Sequence, residues 1–162
     1  MRKLKLFIAG AVIAALLVLS FALAASDEKA ELQKIFETGV AALNADDIAA
    51  FEALHVQDET TVHIGPVEGD LNKGWTAAKQ SFQAFMDSPA TLTKPENVAL
   101  KVVGDAGWGV WTFTTEMEIE GKKMESLTRL TLVFERVDGR WLVSHSHASA
   151  GLPPPPAPTT EK

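Results

Sequence analysis

The chain of 162 residues contains no cysteine and no tyrosine. Without cysteine it can form neither a disulfide framework nor a zinc-thiolate site, and it offers no thiol nucleophile and no sulfur for lipid attachment. Without tyrosine, no site in it can use a phenolic hydroxyl. Basic residues are also few, because 15 Lys and Arg stand against 21 Asp and Glu and the formal net charge is −6. That balance argues against non-specific nucleic-acid binding, which needs a basic surface to displace counterions from phosphates.

One long hydrophobic run, from Leu6 to Ala25, stands near the start of the chain. Three basic residues precede it, and the small-x-small tripeptide Ala22-Leu23-Ala24 lies at its end. This order is typical of a secretory signal peptide, so we expect residues 1–24 to be removed and the protein to be periplasmic or secreted. The alternative is an uncleaved anchor in the inner membrane, because residues 6–25 are long enough to span the hydrocarbon core.

Removing that leader takes away three basic and no acidic residues, which lowers the formal charge from −6 to −9. At the other end, residues 152–162 hold five of the eight prolines. Proline fixes φ and has no amide hydrogen, so this segment cannot join a helix or a central strand, and we predict a disordered tail. A single domain over residues 25–151 remains, and its length suits one hydrophobic core.

The first half of this domain has the periodicity of helices. A first helix is predicted from near Ser26 or Asp27, a short second helix after the break at Asn44-Ala45-Asp46, and a third from near Trp75. A short strand over Thr60 to Ile64 precedes the third helix. The apolar faces of the helices comprise Leu32, Ile35, Phe36, Val40 and Leu43, then Ile48, Phe51 and Leu54, then Ala78, Phe82, Phe85 and Met86.

The second half changes to a period of two residues, which is typical of half-buried strands. Four strands are predicted, over Asn97 to Val103, Trp108 to Glu120, Ser126 to Val137 and Trp141 to Ser149. In the last strand, strict alternation predicts that Trp141, Val143, His145 and His147 share one face. Helices followed by an antiparallel meander predict an α+β domain in which helices close a curved sheet.

The order of these elements, and above all the terminal segment Asp138 to Ser149 with its Asp-Gly-Arg-Trp and His-x-His-x-Ser motifs, resembles the nuclear transport factor 2-like superfamily. Residues 28–151 are similar to its SnoaL-like and ketosteroid-isomerase-like small bacterial proteins. The terminal segment also resembles the association domain of calcium/calmodulin-dependent kinase. The resemblance implies a cone-shaped α+β fold, with N-terminal helices packed on a strongly curved antiparallel sheet around a pocket, and a homodimer formed through the sheet. It does not fix the chemistry, because the superfamily includes isomerases, dehydratases, cyclases and members that only bind or assemble.

Histidines are the candidate catalytic groups. Ketosteroid isomerases use a tyrosine as an oxyanion donor, so their mechanism does not transfer to a chain without tyrosine. His145 and His147 alternate on one predicted strand and His63 stands on another, so an imidazole could serve as a general base. If His63 lies opposite the pair, three imidazoles could instead hold Zn²⁺ or Cu²⁺, although no carboxylate stands at a spacing that would orient them. The remaining alternative places these histidines on the outer face or in an interface, and His55 is predicted at the surface or at a helix end.

Aromatic side chains and one arginine are the candidate ligand contacts. Trp75, Trp108, Phe82 and Arg129 are predicted to contact a ligand, whereas Trp111 and Trp141 are predicted to lie in the core. We therefore predict an exported SnoaL-like domain that binds a small apolar or aromatic ligand, or assembles as a homodimer, without catalysis, cofactor or nucleic acid. The first alternative is an enzyme of the isomerase, dehydratase or cyclase type, and the second is His-based Zn or Cu binding. Contact with a membrane is expected only if the leader is not cleaved.

Overall fold

The computed structural model describes residues 27–151, so the predicted leader and the proline-rich tail lie outside the described residues. This part of the chain forms three helices and six strands, in the order two helices, two short strands, a third helix and four longer strands. The helices are α1 (residues 27–44), α2 (Ile48–Glu52) and α3 (Trp75–Met86). The strands are β1 (Val62–Ile64), β2 (Leu71–Lys73), β3 (Thr91–Val103), β4 (Ala106–Ile119), β5 (Lys122–Val137) and β6 (Arg140–Ala150). None of the described helices combines the length and hydrophobicity that a membrane span requires.

The six strands form one sheet in the order β2-β1-β6-β5-β4-β3. All neighbours are antiparallel except β1 and β6, which are parallel. The meander β3 to β6 confirms the predicted one, and the predicted turns at Glu120-Gly121 and Asp138-Gly139 have positive φ at both residues. Two consecutive positive φ angles are the geometry of the type I′ turns that join twisted strands tightly.

Two parts of the sheet differ from the prediction. Strand β2 was not predicted, because three residues are too few to establish a period. Strand β3 begins at Thr91 rather than Asn97, and its register with β4 shifts between Thr93 and Glu96 and again between Asn97 and Ala99. These irregularities interrupt the alternation, and Pro95 is tolerated within the first of them because β3 is an edge strand.

Helix α1 packs on the concave face of the sheet, as its apolar period predicts. Leu32 and Phe36 are buried there, and the Phe36 ring stacks on Trp111 with a centroid distance of 4.4 Å. At the C-terminal end of α1, the side chain of Asn44 pairs with the edge strand β3. Its Oδ1 accepts a hydrogen bond from the Leu92 amide at 2.9 Å, and its Nδ2 donates to the Leu92 carbonyl at 2.8 Å. Asp47, rather than the preceding Asn44-Ala45-Asp46 segment, caps α2 by accepting a hydrogen bond from the Ala50 amide.

Strand β6 contains a bulge at Ser144. Phe134 of β5 pairs with Val143, but the adjacent Val133 pairs with His145, so Ser144 of β6 has no paired residue on β5. An extra residue reverses the alternation of side chains beyond it. Trp141 and Val143 therefore face the concave side, whereas His145 and His147 face the outer side. The prediction that all four share one face was wrong for this reason.

The buried side chains form two clusters on the concave side of the sheet. The larger joins α1 to the sheet and includes the predicted core residues Trp111 and Trp141. The smaller joins the end of α1 and α2 to α3 and is built around Phe51 and Phe82. The predicted inward parity of β4 and β5 is confirmed by the burial of Phe113 and Leu132. The two clusters flank a space that neither of them fills.

Candidate functional site

A cavity of about 560 Å³ lies between the helices and the concave face of the sheet. Most of its wall is apolar, with Phe36, Leu43, Phe85, Leu92, Phe113 and Leu130 among the lining residues. Polar lining side chains include His55, His63, Asp70, Ser81 and Ser146. Within residues 27–151, no Lys or Arg lines the cavity, and Asp70 is the one carboxylate in its wall.

His63 is buried in this wall. It is the inward-facing residue of β1 and is 7% exposed. Its Nδ1 lies 2.8 Å from the Ser146 hydroxyl, and its ring centroid lies 4.3 Å from that of Phe82. Burial lowers the pKa of His63 to about 4, against the opposing attraction of the Asp70 carboxylate. The ring is therefore neutral at pH 7.

His55 is a second buried imidazole in the cavity wall. It follows α2, and the flanking backbone is fixed to β6 by hydrogen bonds of Leu54 and Val56 with Val143. The ring is 5% exposed, so the predicted position at a helix end is observed but the predicted surface exposure is not. Its Nδ1 lies 2.9 Å from the Phe51 carbonyl. A carbonyl can only accept, so Nδ1 carries the hydrogen and Nε2 is left as an acceptor.

Aromatic rings surround His55 and bury it, and this burial favours the neutral form of the imidazole. Its centroid lies 4.4 Å from Phe51, 5.2 Å from Trp75 and 5.5 Å from Phe82. Burial lowers the pKa of His55 to about 4, with a smaller contribution in the same direction from His63. The cavity wall therefore contains two imidazoles that carry no charge at neutral pH.

The Asp70 carboxylate is held in place by three neighbours. Its Oδ1 accepts hydrogen bonds from Asn72 Nδ2 at 2.6 Å and from Ser81 Oγ at 3.1 Å. Its Oδ2 lies against Gly65, where a Cβ atom would come within 1.5 Å of it. Glycine at position 65 thus leaves the space that the carboxylate occupies.

The structure separates the candidate residues that the sequence suggested. His63 and Phe82 line the cavity. His145 and His147 lie on the outer face, where His145 is half-buried and His147 is exposed. Partial burial lowers the pKa of His145, and the neighbouring His147 lowers it further. Because these two rings point away from His63, three imidazoles do not converge, and no group of three His, Asp or Glu in residues 27–151 is arranged to hold a metal.

The other predicted ligand contacts also lie outside the cavity wall. Trp75 is buried beside it and donates a hydrogen bond from Nε1 to Glu52 at 3.2 Å. Arg129 is exposed on the outer face of β5, because its neighbours Thr128 and Leu130 face inward. Trp108 is 40% exposed.

The sequence did not predict that His55, Asp70 and Ser146 line the cavity. Ser146 would have been assigned to the inner face only if the bulge had been recognised, because that one residue decides its side. His55 and Asp70 are oriented by contacts with distant β6 and α3, and no local pattern marks them.

Solved structures with the same architecture define the class of fold. A ketosteroid isomerase-like protein from Erwinia carotovora atroseptica is 15% identical with a TM-score of 0.68, and the match covers 78% of this chain and 98% of that one. A candidate dehydratase of the nuclear transport factor 2-like family from Streptomyces avermitilis is 17% identical with a TM-score of 0.69, over 78% and 99%. A candidate calcium/calmodulin-dependent protein kinase II association domain from Xanthomonas campestris is 25% identical with a TM-score of 0.61, over 75% and 86%. The chain therefore has the nuclear transport factor 2-like fold, as its resemblance implied.

A sequence match identifies the family within this class of fold. Residues 32–153 match the SnoaL-like domain, and the protein belongs to the SnoaL-like domain family. No curated protein sequence matches the chain. The names of these neighbours range from dehydratase and ketosteroid isomerase-like protein to kinase association domain, so the fold alone does not identify a function.

Proposed function

We propose that this SnoaL-like domain binds a small, largely apolar molecule in the cavity between its helices and its sheet. The observation that carries the proposal is the cavity of about 560 Å³, whose wall is apolar except for a few grouped polar side chains. Small-molecule sites in proteins typically measure about 300–1,000 Å³ and have this composition. A ligand that buried about 200 Å² of apolar surface there would gain about 5 kcal/mol before the costs of association.

The proposal is tested by filling the cavity. Ala148 lies on β6 and lines the cavity, so the phenyl ring of Ala148→Phe would occupy the space of a ligand. We expect this variant to lose binding of the neutral fluorescent probe N-phenyl-1-naphthylamine, measured by titration at pH 7.5. Ser149→Phe adds the same ring one residue further along the strand, on the opposite face, and is expected to bind like the wild type. Equal binding by both variants, with circular dichroism showing both to be folded, would contradict the proposal.

Proton transfer by His63 is the second candidate function. His63 is neutral, reaches the cavity and is oriented by Ser146, which are the requirements for a general base. Its pKa of about 4 makes it a weak base at neutral pH, whereas the most effective bases have a pKa near the working pH. This is why we rank catalysis below binding.

The catalytic candidate has its own test. Ketosteroids, lactones and hydroxy acids are the substrates to assay, with His63→Gln as the variant that removes the base. Catalysis predicts turnover that the variant abolishes and a pH-rate profile that falls as His63 is protonated. Absence of turnover, or unchanged turnover in His63→Gln, would refute a catalytic role for this residue.

We also propose that the domain acts as a homodimer through the outer face of the sheet. Exposed large apolar side chains on that face include Trp108 at 40% and Leu127 at 52% in the single chain. Burying them against a second copy would be favourable. Sedimentation should show a dimer that Trp108→Glu dissociates, while Val67→Glu, an exposed apolar position in the loop before β2, should leave it intact. A monomeric wild-type protein would contradict the proposal.

Export of the domain is proposed from the sequence of the leader. Cell fractionation with mass spectrometry tests it, and we expect a periplasmic or secreted protein that begins at Ala25. A membrane-bound protein that retains its full mass would instead support the anchor alternative.

A further inference from the structure

We propose that the polar side chains of the cavity select a ligand that carries an uncharged hydroxyl group, an alcohol or a phenol, over a carboxylate or a ketone of the same shape. This inference rests on the proposed binding function and adds the chemical class of the ligand. It follows from the charges, the hydrogen-bonding atoms and the apolar wall that surround the polar side chains.

The charges in the wall disfavour an anionic ligand. In the described part of the chain, no basic side chain lines the cavity, and the Asp70 carboxylate does. Lys79, the one basic residue of α3, lies 2.6 Å from Glu52 and is already paired. A carboxylate moved from water into this cavity would lose its hydration and meet a like charge instead of a partner.

The two imidazoles do not compensate for this missing positive charge. His55 and His63 both have a pKa of about 4 because of burial, so both are neutral at pH 7. Protonating either ring to pair it with a ligand carboxylate would first cost the free energy that burial imposes on its charged form. The imidazoles therefore act as neutral hydrogen-bonding groups.

The hydrogen-bonding atoms favour a group that can donate. His55 offers Nε2 as an acceptor, because its Nδ1–H is committed to the Phe51 carbonyl. Asp70 offers a carboxylate, which also only accepts. The pair of His63 and Ser146 adapts to its partner. If Ser146 donates to Nδ1, then Nε2 carries the hydrogen, and if Nδ1 donates to Ser146, then Nε2 accepts.

A hydroxyl group uses these atoms more fully than the alternatives do. It can donate to Asp70 or to His55 Nε2 and can accept from His63 Nε2–H. A ketone can only accept, so it would leave the buried His55 Nε2 without a donor from the ligand, which is costly. The surrounding wall is aromatic and aliphatic, with Phe82 against His63, so the rest of the ligand is apolar.

Four probes of equal size separate these chemistries: 1-(2-naphthyl)ethanol, 2-acetylnaphthalene, 2-naphthoate and 1-(2-naphthyl)ethylamine. They share one ring system and differ only in the polar group. Binding to the full-length protein or its processed form is measured by isothermal titration calorimetry at pH 7.5. We expect the alcohol to bind at least about tenfold more tightly than 2-naphthoate, and more tightly than the ketone.

Each other result overturns a defined part of the reasoning. Equal or tighter binding of the carboxylate or the ketone would refute hydroxyl selection. Tightest binding of the amine would also refute it, and would show that pairing with the Asp70 charge decides the selectivity. If N-phenyl-1-naphthylamine binds but the four probes bind alike, only this inference fails. If no probe binds, including N-phenyl-1-naphthylamine, the proposed binding function fails as well.

Two variants test whether the named groups cause the selectivity. Asp70→Asn removes the charge but keeps an oxygen for Asn72 and Ser81, and we expect it to reduce the preference for alcohol over carboxylate by about tenfold. Asp138→Asn, in the exposed turn before β6, is the matched control. His55→Phe keeps a ring among Phe51, Trp75 and Phe82 but removes Nε2, so it should weaken binding of the alcohol more than that of the ketone. Unchanged selectivity in both folded variants would refute the assignment.

Discussion

The two buried imidazoles predict that the protein loses stability as the pH falls from about 6.5 towards 4. In the folded state, burial lowers the pKa of both His55 and His63 from the ordinary 6.5 to about 4. Above pH 6.5 both rings are neutral in the folded and the unfolded chain, so they do not make the free energy of unfolding depend on pH. Between the folded pKa of about 4 and the unfolded pKa of about 6.5, only the unfolded chain binds a proton at each ring, which favours unfolding. Below about pH 4 both states are protonated, so the loss of stability levels off.

The size of this effect follows from the two pKa values. Between pH 7.5 and pH 5.0, one histidine with these values lowers the free energy of unfolding by about 2 kcal/mol. The two together account for about 4 kcal/mol, a large share of the stability of an ordinary domain. Carboxylates also titrate in this range, so the wild-type curve alone does not isolate the histidines.

Variants that remove one imidazole each isolate its contribution. In His63→Asn, the side-chain amide can still bond to Ser146, and His55→Phe keeps the aromatic packing. Urea unfolding followed by tryptophan fluorescence at pH 7.5 and 5.0 gives the free energies. Each variant should reduce the pH-dependent loss by about 2 kcal/mol, whatever its own stability at pH 7.5. His147→Asn makes the same change at an exposed position on the outer face, and because His147 makes only a minor contribution to the lowered pKa of His63, this variant should change the pH-dependent loss much less than His63→Asn does. If both cavity variants lose as much stability as the wild type, the two imidazoles are not held neutral by burial.

Three further predictions concern side chains that shape the fold and the cavity. A Cβ atom at Gly109 would lie 2.0 Å from Cη2 of Trp111, so Gly109→Ala should destabilise the protein by about 1–3 kcal/mol in urea unfolding. Gly151→Ala, whose Cβ would be 3.4 Å from its nearest neighbour, should cost less, and equal losses would contradict the argument. Asn44→Ala removes both hydrogen bonds to Leu92, so we expect a loss of about 1–3 kcal/mol and faster hydrogen exchange of the Leu92 amide, and unchanged exchange would count against it. Gly65→Ala displaces the Asp70 carboxylate, so it should weaken binding of 1-(2-naphthyl)ethanol while N-phenyl-1-naphthylamine still binds, and loss of both would point to collapse of the cavity instead.

The sequence predicts the parts of the fold in which a regular period continues without interruption. The apolar spacing of α1 and α3, and the alternation of β4 and β5, place Phe36, Phe82, Phe113 and Leu132 on the inner side, where the structure has them. The prediction fails where the period is short or broken, as in the three residues of β2 and the irregular start of β3.

The candidate site was harder to predict, because its polar residues are assembled by tertiary contacts. His63 is found by the alternation of a short strand, but Asp70 is oriented by Ser81 of α3 and by the space at Gly65. His55 is buried because the backbone around it pairs with Val143, more than eighty residues away in the chain. Periodicity contains no information about such pairings.

The bulge at Ser144 means that the chemistry of the cavity depends on how the backbone of β6 pairs with β5 as well as on the identity of the residues in β6. Beyond this point, the chain places Ser146 and Ala148 inside and His145 and His147 outside. Without the bulge, plain alternation along the same sequence would turn His145 and His147 into the cavity beside His55 and His63, whereas deleting the extra residue Ser144 would leave the two sets on their present sides. When SnoaL-like sequences are aligned, the side of a His-x-His motif in this strand therefore follows from its pairing with β5, and counting residues from Trp141 gives the side only if the bulge is included.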